Sequence, residues 1–146
     1  MKNKFAAFSG CIILVSLISC GKTNSNASSN IPSTTVNYAG NFMKTDSSTT
    51  SANGKVSVVF NPSTLTLSYT ITWHSLSSEP IAMHFHDNGP VIVSITGYPV
   101  ATDQTFSGTA KFTSTQASDL ASGYIYVMIH TTKYSGGEIM APLSKQ

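Results

Sequence analysis

Between Leu65 and Trp73 the chain alternates apolar and hydroxyl-bearing side chains without a break: Leu-Thr-Leu-Ser-Tyr-Thr-Ile-Thr-Trp. A period of two belongs to an extended strand, so Leu65, Leu67, Tyr69, Ile71 and Trp73 are expected on one face and the hydroxyls on the other. A chain carrying this segment is committed to a sheet with one dry face and one wet face. Lys55 to Phe60 reads as its antiparallel hairpin partner, joined through Asn61-Pro62-Ser63-Thr64, where proline presets the backbone angle of a tight turn.

The same period recurs in short segments: Val36 to Met43, Ile81 to His86, Val91 to Thr96, Thr105 to Phe112, Tyr124 to His130 and Glu138 to Leu143. Turn residues separate them, notably Asp87-Asn88-Gly89-Pro90, Gly97 with Pro99, and Ser135-Gly136-Gly137. Charged residues are only 10% of the chain, which disfavours long amphipathic helices with solvated faces. Only Ser114 to Ser122 reads as a short helix, with Gly123 at its C-cap. Seven or eight short antiparallel strands define an all-β fold, a β-sandwich or a squat barrel, in one domain over residues 36–143.

Ahead of that domain lies a targeting segment. Lys2 and Lys4 precede an apolar run from Phe5 through Ile18, and Ser19 stands directly before Cys20. The run is shorter than the roughly 20 residues a membrane-spanning helix needs, and residues 1–19 read as a cleaved signal peptide. Leu17-Ile18-Ser19-Cys20 resembles the bacterial lipobox, which implies cleavage before Cys20, acylation of its sulfur and anchoring in a lipid bilayer. Cys11 leaves with the leader, so Cys20 is the one cysteine of the processed chain, and thioether linkage removes an otherwise free thiol. Residues 20–35, rich in Ser, Asn and Thr, read as a flexible tether. The expected location is the bacterial cell envelope, with the outer membrane favoured.

Charge narrows the range of partners. Without Lys2 and Lys4, six lysines (22, 44, 55, 111, 133, 145) face six acids (Asp46, Glu79, Asp87, Asp103, Asp119, Glu138), and arginine is absent from the sequence. With no cationic excess and no guanidinium fork, nucleic acid is not an expected partner.

One constellation carries candidate chemistry. His84 and His86 stand two apart in an expected strand, so both imidazoles leave one face with their roots roughly 7 Å apart. His130 ends a later strand on the face of Tyr124, Tyr126 and Met128, and converges with them if the two strands are neighbours. Three neutral imidazoles with an open fourth position suit copper(II) or zinc, with Asp87 or Glu138 as candidates to orient a ring or add an oxygen ligand. Against this stands a plainer role, in which the histidines hydrogen-bond to nearby backbone and hold turns. His74, on the wet face opposite Trp73, reads as a surface residue.

Five blocks in order resemble the CHRD (chordin-type) domain over about residues 36–143. They are Asn61-Pro62-x-Thr64-Leu65-x-Leu67-x-Tyr69-x-Ile71; Ala82-x-His84-x-His86-x-x-Gly89-Pro90; Phe106-x-Gly108-x-Ala110; Gly123-x-Ile125-Tyr126-Val127-x-Ile129-His130-Thr131; and Gly136-Gly137-Glu138-Ile139. The resemblance implies an immunoglobulin-like or superoxide-dismutase-like sandwich and no settled activity for bacterial members. The sequence departs from the pattern at Met140-Ala141-Pro142, where many members carry Arg-Gly. His84-Phe-His86-Asp-Asn-Gly89 is also similar to the copper strand of copper/zinc superoxide dismutases. That enzyme's further zinc ligands, active-site arginine and disulfide have no counterpart, so dismutase activity is not expected.

Of the other patterns, no Gly-x-Ser-x-Gly elbow accompanies the many serines. Met43, Met83, Met128 and Met140 fit a copper(I) surface or simple core filling, and Tyr124, Tyr126 and Tyr134 fit a recognition patch for a protein or envelope partner. The expectation is a lipid-anchored, non-enzymatic binding or structural module with no certain cofactor; the alternative is a copper or zinc site at His84, His86 and His130.

Overall fold

A computed structural model describes residues 34–146. The expected leader (1–19), the acylated Cys20 and the tether as far as residue 33 lie outside the described residues. Ten strands and one helix follow in the order β1 (Val36–Asn41), β2 (Met43–Lys44), β3 (Asn53–Asn61), β4 (Thr66–His74), β5 (Pro80–Asp87), β6 (Val91–Ile95), β7 (Gln104–Lys111), α1 (Ser114–Ser122), β8 (Ile125–Thr131), β9 (Ile139–Pro142) and β10 (Ser144–Lys145). They form two five-stranded antiparallel sheets, β10-β1-β3-β4-β7 and β2-β9-β8-β5-β6, the all-β sandwich that the periodicity predicts.

The β3–β4 hairpin pairs from Asn53 opposite His74 to Asn61 opposite Thr66. Its turn is closed by Asn61, whose Oδ1 accepts from the backbone N–H groups of Ser63 (3.0 Å) and Thr64 (3.2 Å). Leu67, Tyr69, Ile71 and Trp73 are buried as the alternation requires. Leu65 departs from that expectation: with φ +56 it belongs to the turn, is half-buried, and its carbonyl accepts from Phe112 N–H. On the wet face, hydroxyls pair across the strands, Thr70 with Ser107 at 2.9 Å and Thr72 with Thr105 at 3.0 Å.

One expected single strand is two, and a further short strand follows the last expected one. The segment read as Val36 to Met43 leaves the first sheet at Asn41 and enters the second at Met43, and the last segment crosses back between Pro142 and Ser144. Phe42 and Leu143, the residues at the crossings, are buried. A large apolar side chain at each crossing fills the corner between the sheets, so hydrophobic burial drives the break in the alternation. This also carries the folded region past the expected boundary at 143.

Between the sheets, Leu67, Ile71, Trp73, Met83, Phe85, Val127 and Ile129 lose all or nearly all contact with water. Each fully buried Leu, Ile, Met or Phe contributes about 1.5–3 kcal/mol. Phe85 lies edge-on to Tyr69 (5.2 Å between centroids) and Phe112 (5.9 Å), and the Trp73 indole N–H donates to the Ala101 carbonyl at 2.8 Å. The helix forms over the expected residues: Thr113 and Gln116 make a reciprocal capping box, Gly123 closes the end in the left-handed region, and Leu120 is buried. Among the described residues no helix is long and apolar enough to cross a membrane.

Candidate metal centre

Strand β5 buries Met83 and Phe85, so the residues between and after them, His84 and His86, stand on the outer face of the second sheet. Strand β8 is its direct neighbour, with Ala82 opposite His130, His84 opposite Met128, and His86 opposite Tyr126. The three imidazoles therefore converge: ring centroids are 5.1 Å apart for His84 and His130, 5.6 Å for His84 and His86, and 6.0 Å for His86 and His130. One ring nitrogen from each lies within 4.8 Å of the others.

Backbone carbonyls aim two of the rings. His86 Nδ1 lies 2.8 Å from the Gly89 carbonyl oxygen, and His130 Nδ1 lies 2.9 Å from that of Ser135. A carbonyl only accepts, so both Nδ1 atoms carry a hydrogen, and in the neutral ring the lone pair then lies on Nε2. Three of the four other ring nitrogens, His84 Nδ1, His86 Nε2 and His130 Nε2, are buried without a hydrogen-bond partner. Three unpaired ring nitrogens in one shielded place are costly unless something shared satisfies them. A tetrahedral ion at about 2.0–2.1 Å from each nitrogen needs them roughly 3.3 Å apart, so small ring rotations close the triangle.

The surroundings hold the rings in place and make one of them less basic. Tyr126 stacks flat on His86, with 4.9 Å between centroids and planes 6° apart. Burial, then the facing His130 and His86, lowers the pKa of His84 below its usual 6.5, so it keeps its lone pair to lower pH than a free histidine. Gly137, at φ +119, closes the loop after β8; a Cβ there would collide with the Met128 sulfur.

The two carboxylates expected beside the rings are elsewhere. Asp87 faces Asp119 of α1; partial burial, then the hydrogen bond and charge of that carboxyl, raise its pKa. Glu138 is fully buried with both oxygens engaged: Oε1 accepts from Thr50 Oγ1 (2.6 Å), Ser77 N–H (2.8 Å) and Ser77 Oγ (2.7 Å), and Oε2 from Thr131 Oγ1 (2.7 Å). The hydrogen-bond partners of the rings are thus the carbonyls of Gly89 and Ser135. Sequence reading placed both residues in turns, but no side-chain pattern marks a backbone carbonyl as a ligand's partner.

Nor do the tyrosines share a patch. Tyr126 is taken up by its histidine stack, the Tyr134 hydroxyl bonds to Thr49 Oγ1 at 3.0 Å, and exposed Tyr124 precedes the opposite end of β8. His74 is exposed as expected, 3.5 Å from Asp103.

A family model described as the CHRD domain matches residues 34–141. No curated protein and no solved structure matches the chain.

Proposed function

The chain belongs to the CHRD domain family, and on that premise we propose that it is an exported, lipid-anchored binding module whose β-sandwich holds one copper or zinc ion through His84, His86 and His130. The observation that carries the reading is the set of three buried ring nitrogens facing one another, two of them turned inward by carbonyl hydrogen bonds on the far side of the ring. Hydrogen bonding at the second ring nitrogen is how proteins orient histidine ligands and raise their basicity. The plainer role, histidines that merely pin turns, accounts for the two Nδ1 contacts and leaves the inward nitrogens unexplained.

The role is binding without turnover. Among the described residues the rings hydrogen-bond to backbone carbonyls, and no side-chain acid or base bonds to a ring. Enzyme-like turnover of a substrate panel by the purified chain overturns this part. Isothermal titration of the intact chain tests the site: one equivalent of copper(II) or zinc is expected near neutral pH, and none in a His84→Ala/His86→Ala variant. Uptake weakens below about pH 6 as the imidazoles take protons. Uptake that the double variant leaves unchanged removes the site.

Anchoring rests on Leu17-Ile18-Ser19-Cys20 behind a basic, apolar leader, which supports a chain acylated at Cys20 and held in the cell envelope. Mass spectrometry of the processed protein is expected to find acyl groups on an N-terminal Cys20. A Cys20→Ser chain is expected to lose its membrane association; one that stays membrane-bound contradicts the anchor.

A further inference from the structure

Three methionines stand in one row across the outer face of the second sheet, and the row ends at the histidine cluster. Met43 is opposite Met140, Met140 is opposite Met128, and Met128 is opposite His84. Residues directly opposite in an antiparallel pair point to the same face with Cβ atoms about 4.5–5.5 Å apart. The row therefore runs over four strands, from the edge strand β2 inward to β5, about 14 Å at the usual strand spacing.

Exposure falls along it. Met43 is 55% exposed, while Met140 and Met128 are half-buried. The fourth methionine of the folded region, Met83, is fully buried between the sheets, where space filling accounts for it. The other three lie outside that core. Their shared property is the thioether, a soft neutral ligand that selects copper(I) and has little attraction for zinc or hard cations.

We propose that the row is a copper(I) track that delivers the metal to the three-histidine site, which makes copper the ion this chain handles. The inference rests on the histidine reading above. A cuprous ion is taken from solvent at Met43, passes to Met140 and Met128, and is handed to His84. Every step exchanges one neutral donor for the next, a sulfur leaving as a sulfur or an imidazole nitrogen arrives. The ion remains copper(I) throughout, and no electron or proton moves.

The test is the rate at which the intact chain takes copper(I) from its bicinchoninate complex without oxygen, with X-ray absorption to detect copper–sulfur bonds. A Met43→Leu/Met140→Leu variant keeps apolar bulk and removes two sulfurs. It is expected to load about tenfold more slowly, the lower end of what disturbing a metal's surroundings costs. Its zinc uptake should match the wild type, which shows that fold and histidine site are intact. In the His84→Ala/His86→Ala variant, sulfur-coordinated copper(I) is expected to persist on the row while zinc uptake is lost. Equal copper(I) loading by wild type and the methionine variant overturns the track and leaves the histidine site standing. So does the loss of all copper(I) uptake in the histidine variant. A wild-type chain that takes up neither zinc nor copper(II), yet holds copper(I) on sulfur, overturns the histidine site instead.

Discussion

Zinc at about 1,000 times its dissociation constant is expected to raise the melting temperature of the intact chain by roughly 15 °C. A ligand that binds only the folded state stabilises it by about 4 kcal/mol at that excess, and each kcal/mol moves the midpoint of a domain this size by roughly 4 °C. The gain follows from the folded state alone holding the three nitrogens together; β5 and β8 come from distant parts of the chain, and unfolding separates His130 from the pair. In the His84→Ala/His86→Ala variant the shift is expected to vanish. Without metal, that variant is expected to melt close to the wild type, because the substitutions remove two of the buried, unpartnered nitrogens along with the rings. Differential scanning calorimetry with and without metal reads both results. A wild-type midpoint that neither zinc nor copper(II) moves contradicts the metal reading.

Replacing Glu138 by alanine is expected to cost about 3–5 kcal/mol, and so roughly 12–20 °C in melting temperature. The carboxylate is fully buried and binds three separate segments: Thr50 before β3, Ser77 between β4 and β5, and Thr131 at the end of β8. Its removal leaves the buried Thr131 and half-buried Thr50 hydroxyls without their acceptor, the expensive way to lose a hydrogen bond. Burial by itself raises the pKa of Glu138, but the hydrogen bonds from Thr50, Thr131 and Ser77 outweigh it and hold the group below its ordinary 4.5. The stabilisation is therefore complete above pH 4.5 and is lost as the pH falls through the lower folded value. Denaturant unfolding of wild type and Glu138→Gln, at neutral pH and in acid, should show a gap that narrows in acid. If the gap stays constant, the carboxylate charge is not the source. Zinc affinity at neutral pH should be the same in both proteins, since neither Glu138 oxygen faces the rings.

The two effects separate readings that the sequence left joined. Glu138 follows two glycines and stands near His130 in the chain, so it was a reasonable partner for a metal site. In the fold its side chain turns to Thr131 at the end of β8 and to Thr50 and Ser77 of two other loops. Loops that are remote along the chain decide that choice, and no local pattern records them. Asp87, adjacent to His86, likewise meets Asp119 of the helix, while the Gly89 carbonyl takes the ring.

Legibility followed the range of the interaction. Strand periodicity is a property of neighbouring residues, so the alternation in β4, the hairpin with β3, the helix with its glycine C-cap and the inward turn of Met83 and Phe85 could all be read from the chain. The common face of His84 and His86 has the same origin. Which strands become neighbours is a different matter, settled by closing long loops around a shared apolar interior. That long-range step joined β5 to β8 and brought His130 to the other two rings; it also moved the chain between sheets at Phe42 and Leu143 and lined up three methionines whose spacing in sequence shows no order. Residue types and faces were determined by the sequence through local sterics and burial, whereas convergence was decided by tertiary pairing, because only the packed sandwich fixes which faces meet.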